Sequence, residues 1–459
     1  MCFIFAPPLN YICAIVKHPT EFRQLLLAFC QKKLTTFAKY IRSAKRPITI
    51  LQKLYRSSVV TDIGFGRPLG ATRGLINYMQ DSKHPYKLVD LFAGCGGLSL
   101  GLEQAGFTPW FVNEIVPQFA QTYKANHTLS DEHYFIGDIA ELNEQFDKFQ
   151  YLLDDITLVC GGPPCQGFSM ANRQRILDDP RNSLYKQYLI FLSKVKPKFF
   201  IMENVKGMMK KVDEILQDFK DYLGDDYLFD YALLKAQDFG VPQNRERFIL
   251  IGNCVGVSPS DIFAEIANQK RLPFVLKDAL VGLPALEPRK VKGAKDVEDI
   301  KSGLTEREFT YIRNSFYKFI NGDRTITKLY NHKNRYNNER DIEIYRRLPQ
   351  GANSLHESIA DIMPYSRRND IFKDKYFKLD ENQICKTITS HMRFDCNMYI
   401  HPWEARGLSP REAARIQTFP DDFVLTGAQN QWYAQVGNAV PVKLAEVIGT
   451  AIMKFIEQK

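Results

Sequence analysis

Asp90-Leu-Phe-Ala-Gly-Cys-Gly-Gly-Leu-Ser-Leu-Gly101 is the stretch on which the fold turns. Ahead of it runs the apolar Lys87–Leu91, and Leu98–Ala105 behind it carries helical spacing. Gly94, Gly96 and Gly97 thus sit between a strand and a helix start, where they permit positive φ and close approach of backbone to a ligand. Working outward, Trp110–Asn113, Ile156–Cys160, Phe199–Met202 and Arg247–Ile251 read as further buried strands. Pro117–Asn126, Leu184–Val195 and Val212–Leu223 read as helices between them. This alternation predicts an α/β fold, a doubly wound and mostly parallel sheet with helices on both faces. Ligands of such sheets bind at the carboxyl ends of the strands. After Gly252 the rhythm stops, and residues 255–400 are irregular, polar and rich in Tyr, Arg, Lys and Asn. The chain closes on an amphipathic helix, Val442–Ile456, which Pro441 is suited to start.

At 459 residues, 45% hydrophobic and 25% charged, the chain has room for two or three globular domains. No apolar run reaches the ~18 residues of a membrane span. The apolar Met1–Val16 is interrupted by Pro7-Pro8 and lacks a basic start, so no export signal is read and no membrane partner is expected. Nine scattered cysteines without a CxxC pair argue against a disulfide framework and against a zinc site, and no metal is expected. The net charge of +9 suggests nucleic acid until it is located. Residues 1–78 hold twelve Lys/Arg against Glu21 and Asp62, a charge of +10, which leaves −1 on the other 381 residues. Bulk charge therefore says nothing about a cleft in the body of the protein.

Glu114 stands at the end of the second strand, 24 residues after Asp90, where a carboxylate can take ribose hydroxyls. Asp138, after Gly137 at the end of a third strand region, is placed to meet an adenine amino group. The third glycine of the dinucleotide fingerprint is missing, so S-adenosylmethionine, which has no pyrophosphate, fits the loop better than NAD. Alone, the loop is weak evidence, with a tight strand-to-helix turn as its plain alternative; the two acids decide the reading. The fourth strand runs into Cys160-Gly-Gly-Pro-Pro-Cys-Gln-Gly-Phe-Ser169, where Pro163-Pro164 stiffens the chain before Cys165. A thiol held in such a loop is a candidate nucleophile, whereas Cys160 on its apolar strand reads as core. Glu203 follows four apolar residues of the fifth strand, and desolvation there favours its neutral, proton-donating form. Arg245 and Arg247, at spacing two, are expected to point the same way and grip a base oxygen or phosphates. Each has a plain alternative, a strand-end acid paired with an arginine and a surface charge run.

Taken together, these motifs resemble the cytosine-C5 DNA methyltransferase family. The glycine loop, PPCQGFS, the ENV step at Glu203, QNRER at 243–247, SPREAARIQTFPDDF at 409–423 and QVGNAVP at 435–441 occur in family order over roughly residues 86–459. The resemblance implies Cys165 as nucleophile, Glu203 as acid, and Arg245 and Arg247 in the base pocket. It implies Phe92, Ala93, Gly94, Gly96, Gly97, Leu98, Glu114, Asp138, Ile139, Pro164, Asn438 and Ala439 around S-adenosylmethionine. It implies double-stranded DNA as substrate, with the cytosine flipped from the helix so that thiolate can add at C6 and the methyl group enter at C5. Methylation of tRNA, known for one branch of the family, and a non-catalytic DNA-binding module are the rivals. Intact Cys165, Glu203 and both arginines speak against the second.

Four regions are expected: a basic extension over 1–84, a catalytic and cofactor domain over 85–254, a smaller target-recognition domain over 255–430, and a returning C-terminal helix over 431–459. In the family the third of these reads DNA sequence. Tyr311, Arg313, Tyr317, Lys318, Arg324, Lys328, Tyr330, Lys333, Arg335 and Tyr336 interleave aromatic and basic groups there, and Asn331–Arg340 is the expected base-reading stretch. Met79, 11 residues ahead of Asp90, stands where members of the family commonly begin, so residues 1–78 read as an upstream extension. A basic DNA-binding arm and an acid-poor transit segment are the alternatives. By analogy the context is a bacterial restriction–modification system, with a cognate restriction endonuclease as functional partner, and a monomer acting on cytoplasmic, nucleoid DNA.

Overall fold

The strand ahead of the glycine loop, β1 (Lys87–Leu91), is buried at every position and lies inside a seven-stranded sheet. The computed structural model describes residues 86–164, 184–293, 300–364 and 375–458, so the N-terminal extension and Cys165 lie outside the described residues. The other strands are β2 (Thr108–Glu114), β3 (Tyr134–Ile136), β4 (Leu158–Gly161), β5 (Phe199–Val205), β6 (Leu228–Lys235) and β7 (Glu246–Asn253). Their order is β3-β2-β1-β4-β5-β7-β6, parallel except that β7 runs against both its neighbours. Register aligns the strand ends: Asp90 lies opposite Val112 and Cys160, Glu114 opposite Ile136, and Gly161 opposite Met202. Because β7 is reversed, its beginning reaches the same rim, with Val205 opposite Arg247 and Glu203 opposite Ile249. The reversal is what carries residues from sequence position 247 to the carboxyl end of β5.

Side chains alternate across the sheet and build two cores, as an open sheet with helices on both faces requires. On one face Val89, Phe111, Phe200 and Leu250 pack with α3 (Ile139–Glu144), α4 (Leu184–Val195) and α5 (Val212–Leu223). On the other, Leu88, Leu158, Ile201 and Ile249 pack with α1 (Gly97–Gln104), α6 (Pro259–Asn268) and α12 (Val442–Glu457). Helix α2 (Pro117–Asn126) follows β2 with proline in its first turn. Ile262 and Ile266 of α6 belong to this second core, so the chain stays with the sheet beyond residue 254.

A third core gathers α7 (Leu276–Leu280), α8 (Ser315–Asn321), α10 (Pro410–Ile416) and α11 (Gln429–Asn438) around Ile388, Met392, Phe419, Trp432 and Tyr433. The hairpin β8 (Gly303–Glu308) and β9 (Lys328–Lys333) and helix α9 (Glu339–Arg347) complete the regular structure described here. Long irregular segments connect these elements, and their backbone groups are satisfied by buried side chains instead of ladders. Asn331 exchanges bonds with both backbone groups of Leu425, Asn334 donates to the Glu287 carbonyl, and Asn337 donates to Tyr345. Within Asn331–Arg340, the expected base-reading stretch, these three buried asparagines are structural, whereas Tyr336, Asn338 and Arg340 are exposed.

Candidate active site

The loop after β1 is shaped by three positive φ angles, 57° at Phe92, 58° at Gly94 and 90° at Gly96. A Cβ on Gly94 would meet nothing within 4 Å, so the loop opens on free space. The Gly94 N–H donates to Glu114 Oε2 at 2.7 Å, and the Val116 N–H donates to Oε1 at 2.7 Å. Burial raises the pKa of Glu114, and these two N–H groups oppose that shift by favouring the carboxylate. Asn113 donates to the Phe135 and Gly137 carbonyls at 3.1 and 2.9 Å, which fixes Asp138 beside the end of β2. Asp138 itself caps α3, accepting from the Ala140 N–H at 2.8 Å. Beneath the loop, Ser99 donates to the buried Asp90 at 2.5 Å and accepts from Tyr123 at 2.8 Å, a brace between β1, α1 and α2.

Two neighbours that the sequence reading missed are Ile115 and Ile136, 59% and 43% exposed directly after β2 and at the end of β3. Apolar side chains left in solvent beside Glu114 and Asp138 suit the faces of a flat ring, and the only sequence signal was adjacency to the two acids. Of the expected cofactor residues, Ala93 bonds to the Asn113 carbonyl and Gly97 packs on the far end of α11, where its Cβ would lie 3.1 Å from that of Ala439. Asn438 stands exposed at that same end. Leu98 and Ile139 turn into the two cores. The structure thus assembles the loop, Glu114, Asp138 and the Asn438-Ala439 corner on one stretch of rim. Carboxylates for hydroxyl and amino groups, apolar surfaces for a ring and no phosphate cradle are what an adenosyl cofactor without phosphates requires, so the residues present fit S-adenosylmethionine.

The chain leaving β4 toward Cys165 is held against the end of β5. Asn204 donates to the Pro163 carbonyl at 2.9 Å, and a Cβ on Gly162 would lie 2.9 Å from Glu203 Oε2. Pro164 follows on the surface. Glu203 faces Arg247, with Nε 2.5 Å from Oε1 and 12% of each side chain exposed. The pairing that was the plain alternative for Glu203 is therefore present. Val205, Lys206, Gly207, Asn244, Glu246, Arg247 and Thr387 line a depression of about 320 Å³ next to that pair. Lys206, Asn244 and Thr387 had not been singled out, since none carries a sequence signal of its own.

Arg245 has a different role from the one its spacing suggests. It precedes β7, is 1% exposed, and donates to the carbonyls of Ile388, Gly437 and Ala439 at 2.7, 3.3 and 2.8 Å. Gln243 beside it donates to Gln417 at 2.9 Å and accepts from the Ile388 N–H at 2.8 Å. This knot joins QNRER to the Cys385–Ser390 segment and to the end of α11. Arg245 shapes the pocket from behind, and Arg247 alone faces the cavity. Burial also disposes of other thiols: it pushes Cys95 up to about 12 and Cys160 well above its usual range, so neither is a thiolate at neutral pH. Among the described residues no group of three or more His, Cys, Asp or Glu side chains is placed to hold a metal, and no helix is long and apolar enough to cross a membrane.

An open sheet with a reversed seventh strand, a glycine loop after β1 and an acid at the tip of β2 is the fold of the S-adenosylmethionine-dependent methyltransferases. The model of the family described as C-5 cytosine-specific DNA methylase matches residues 86–454. The chain belongs to that family, and it is a DNA (cytosine-5-)-methyltransferase. Type II methyltransferase M1.HphI of Haemophilus parahaemolyticus is 32% identical over 375 residues, covering 80% of this chain and 86% of its own. Type II methyltransferase M.Sau96I of Staphylococcus aureus is 31% identical over 385 residues, covering 81% and 77%. A crystal structure from E. coli, titled as a DNA modification methyltransferase encoded within a prophage, aligns with a TM-score of 0.63 at 27% identity, over 81% of this chain and 99% of that one.

Proposed function

We propose that this enzyme methylates cytosine within one specific duplex sequence as the protective half of a Type II restriction–modification system, using Cys165 as nucleophile. The observation that carries the reading is the Glu203–Arg247 pair, whose arginine lines the cavity, with Gly162 and Pro163, just ahead of Cys165 in sequence, held against Glu203 and Asn204. Base and nucleophile meet there only if the cytosine leaves the stack. The Cys165 thiolate forms the Sγ–C6 bond while Glu203 delivers a proton at N3, so the C5–C6 π electrons become available at C5. Arg247 holds the base oxygen that gathers charge, and Arg245 keeps Arg247 in place through the carbonyl knot. S-adenosylmethionine, when bound, supplies a methyl group made electrophilic by its sulfonium sulfur. Phe92, Ala93, Gly94, Gly96, Gly97, Glu114, Asp138, Asn438 and Ala439, with Ile115 and Ile136, are the residues that hold it on the rim. After transfer a water molecule takes the C5 proton, the C–H electron pair restores the C5–C6 double bond as Cys165 leaves as the thiolate, and N3 returns its proton to Glu203.

The target-recognition region expected over 255–430 is kept in this reading, with its start moved past α6, whose Ile262 and Ile266 pack with the sheet. The enzyme acts as a monomer on nucleoid DNA, and a cognate restriction endonuclease is its functional partner without need of contact. Incubation with methyl-labelled S-adenosylmethionine and unmethylated duplex DNA, followed by nucleoside analysis, tests the core of it. Label in 5-methylcytosine that disappears in Cys165→Ala is the expected result. Label in tRNA alone overturns the substrate, and undiminished label in Cys165→Ala overturns the nucleophile.

A further inference from the structure

The turn Ser390–Asp395 serves neither the cofactor cradle nor the base pocket, yet it is built with unusual care. Ser390–Arg393 forms a 3₁₀ turn, and three residues per turn put His391 and Phe394 on the same side. Met392 and Cys396 are fully buried and anchor the turn in the third core. At its start, a Cβ on Gly437 would strike Ser390 and Thr389. Arg335 clamps it from the side, donating from Nη1 to the Met392 carbonyl at 2.7 Å and from Nη2 to the Phe394 carbonyl at 2.8 Å. The group that this anchoring presents is aromatic and basic. Phe394 is 60% exposed, the Arg393 guanidinium lies 4.4 Å from its ring centroid, and the His391 ring lies 5.5 Å from it. Asp395 approaches His391 at 3.7 Å, whereas Arg393, among the described residues, is engaged only by the Phe394 ring.

A single exposed phenylalanine is ordinary on a protein surface. One held outward by a backbone whose carbonyls are clamped by an arginine, and overlaid by a second guanidinium, is shaped for a partner that is both stacked and anionic. Duplex DNA is that partner, and the turn is close enough to meet it. Thr387 lines the cavity, and seven residues of chain from there to Phe394 span at most about 25 Å. That is no more than about seven base pairs at ~3.4 Å each. We propose that the His391–Phe394 turn is part of the DNA-binding surface, with Arg393 taking a backbone phosphate and Phe394 stacking on the strand beside the flipped cytosine. Arg335 is its positioning residue.

The proposal rests on the DNA reading of the catalytic site, so the test separates the two. The full-length protein, Phe394→Ala and Arg393→Gln are compared on a restriction fragment that the wild type methylates, by fluorescence anisotropy across a salt series. Affinity for S-adenosylmethionine is measured alongside by calorimetry. Phe394→Ala is expected to weaken DNA binding about tenfold. Arg393→Gln is expected to lower the slope of log affinity against log salt by about 1. Both should keep the wild-type cofactor affinity. An unchanged slope and affinity in Arg393→Gln overturn the proposal, and so does a loss that extends equally to the cofactor. If the wild type methylates no DNA fragment at all, the functional reading fails first and takes the proposal with it.

Discussion

Along the carboxyl rim of the sheet, Glu203 and Arg247 face each other with 12% of each side chain still reaching solvent. In the segment between His401 and Ala439, by contrast, Arg406, Arg411 and Arg415 are sealed completely. Arg406 meets Glu412 through both terminal nitrogens at 2.8 and 2.7 Å, and Arg415 meets both oxygens of Asp421 at 2.8 and 3.1 Å. Arg411 has only main-chain carbonyls, those of Tyr330, Pro420 and Phe423. Ions buried this deeply are tolerated only when every donor is nearly matched, and losing one partner strands the other. The sealed arginines of α10 tie in elements 81 and 136 residues away in sequence, β9 through the Tyr330 carbonyl and α7 through the Ala279 carbonyl. Residue type does not distinguish the two regions; remaining access and remaining bonding capacity do.

Arg245 and Arg247 bring that contrast within two residues, and substituting them gives the largest expected effect. Arg245→Ala strands three carbonyls, so urea unfolding should show a loss on the order of 3–5 kcal/mol, with activity failing as a consequence. Arg247→Ala should cost at least about 2 kcal/mol less in stability while abolishing most methylation at a temperature where the variant is folded. Equal destabilisation by the two substitutions would break the comparison, because Arg247 would then be as structural as its neighbour.

The two regions should also respond to pH with opposite signs. Burial first, then Arg406, drives His401 down to about 3, and burial drives His332 down to about 4. Both imidazoles are neutral when folded but titrate near 6.5 when unfolded, so the stability they preserve is complete above about pH 6.5 and is lost as pH falls toward 4. Under the glycine loop, burial lifts Asp90 to about 7 against the opposing bond from Ser99. Its contribution is complete below about pH 4 and is lost as pH rises through 7. Unfolding free energies at pH 4.5, 6.5 and 8 should fall on both sides of the middle value, by a few kcal/mol on the acid side. Asp90→Asn should remove the shallow decline above pH 6.5 and steepen the rise between pH 4.5 and 6.5, because Asp90 loses its contribution over the whole interval from about 4 to about 7. A flat profile between pH 4.5 and 6.5 in Asp90→Asn would mean that the sealed histidines are reached by solvent.

The same contrast explains what could be read in advance. Lys87–Leu91, Phe199–Met202 and the glycine loop were legible because buried strands and tight turns need local residue patterns that few alternatives share. Strand β6 was not: as the edge of the sheet it is half exposed along most of its length, and Leu-Phe-Asp-Tyr-Ala-Leu-Leu-Lys has no clean period of two. The paired reading of Arg245 and Arg247 failed because the alternation rule holds within a strand and β7 begins only at Glu246. Asn331, Asn334 and Asn337 look like a polar surface in sequence, but an irregular chain must satisfy its interior with side chains. The partners that do so lie 8 to 94 residues away, and local patterns carry no trace of the farther ones.

Lys206 gives the smallest effect and the finest test of the distinction. It is 59% exposed at the mouth of the cavity and pairs with Glu246 at 2.9 Å. By geometry this is an ion pair like the others, but its water access predicts that the pair adds little stability, since exposed pairs typically contribute about 0–1 kcal/mol. Its cation therefore remains available to a phosphate next to the base pocket. Lys206→Met should leave the unfolding free energy within about 0.5 kcal/mol of wild type. It should raise KM for DNA severalfold, more at low salt than at high, with kcat little changed, because a phosphate contact at the rim acts on encounter and hold more than on the chemical step. A stability loss above about 1 kcal/mol with KM unaltered would place Lys206 among the structural charges, and access would no longer separate the two uses of charge in this enzyme.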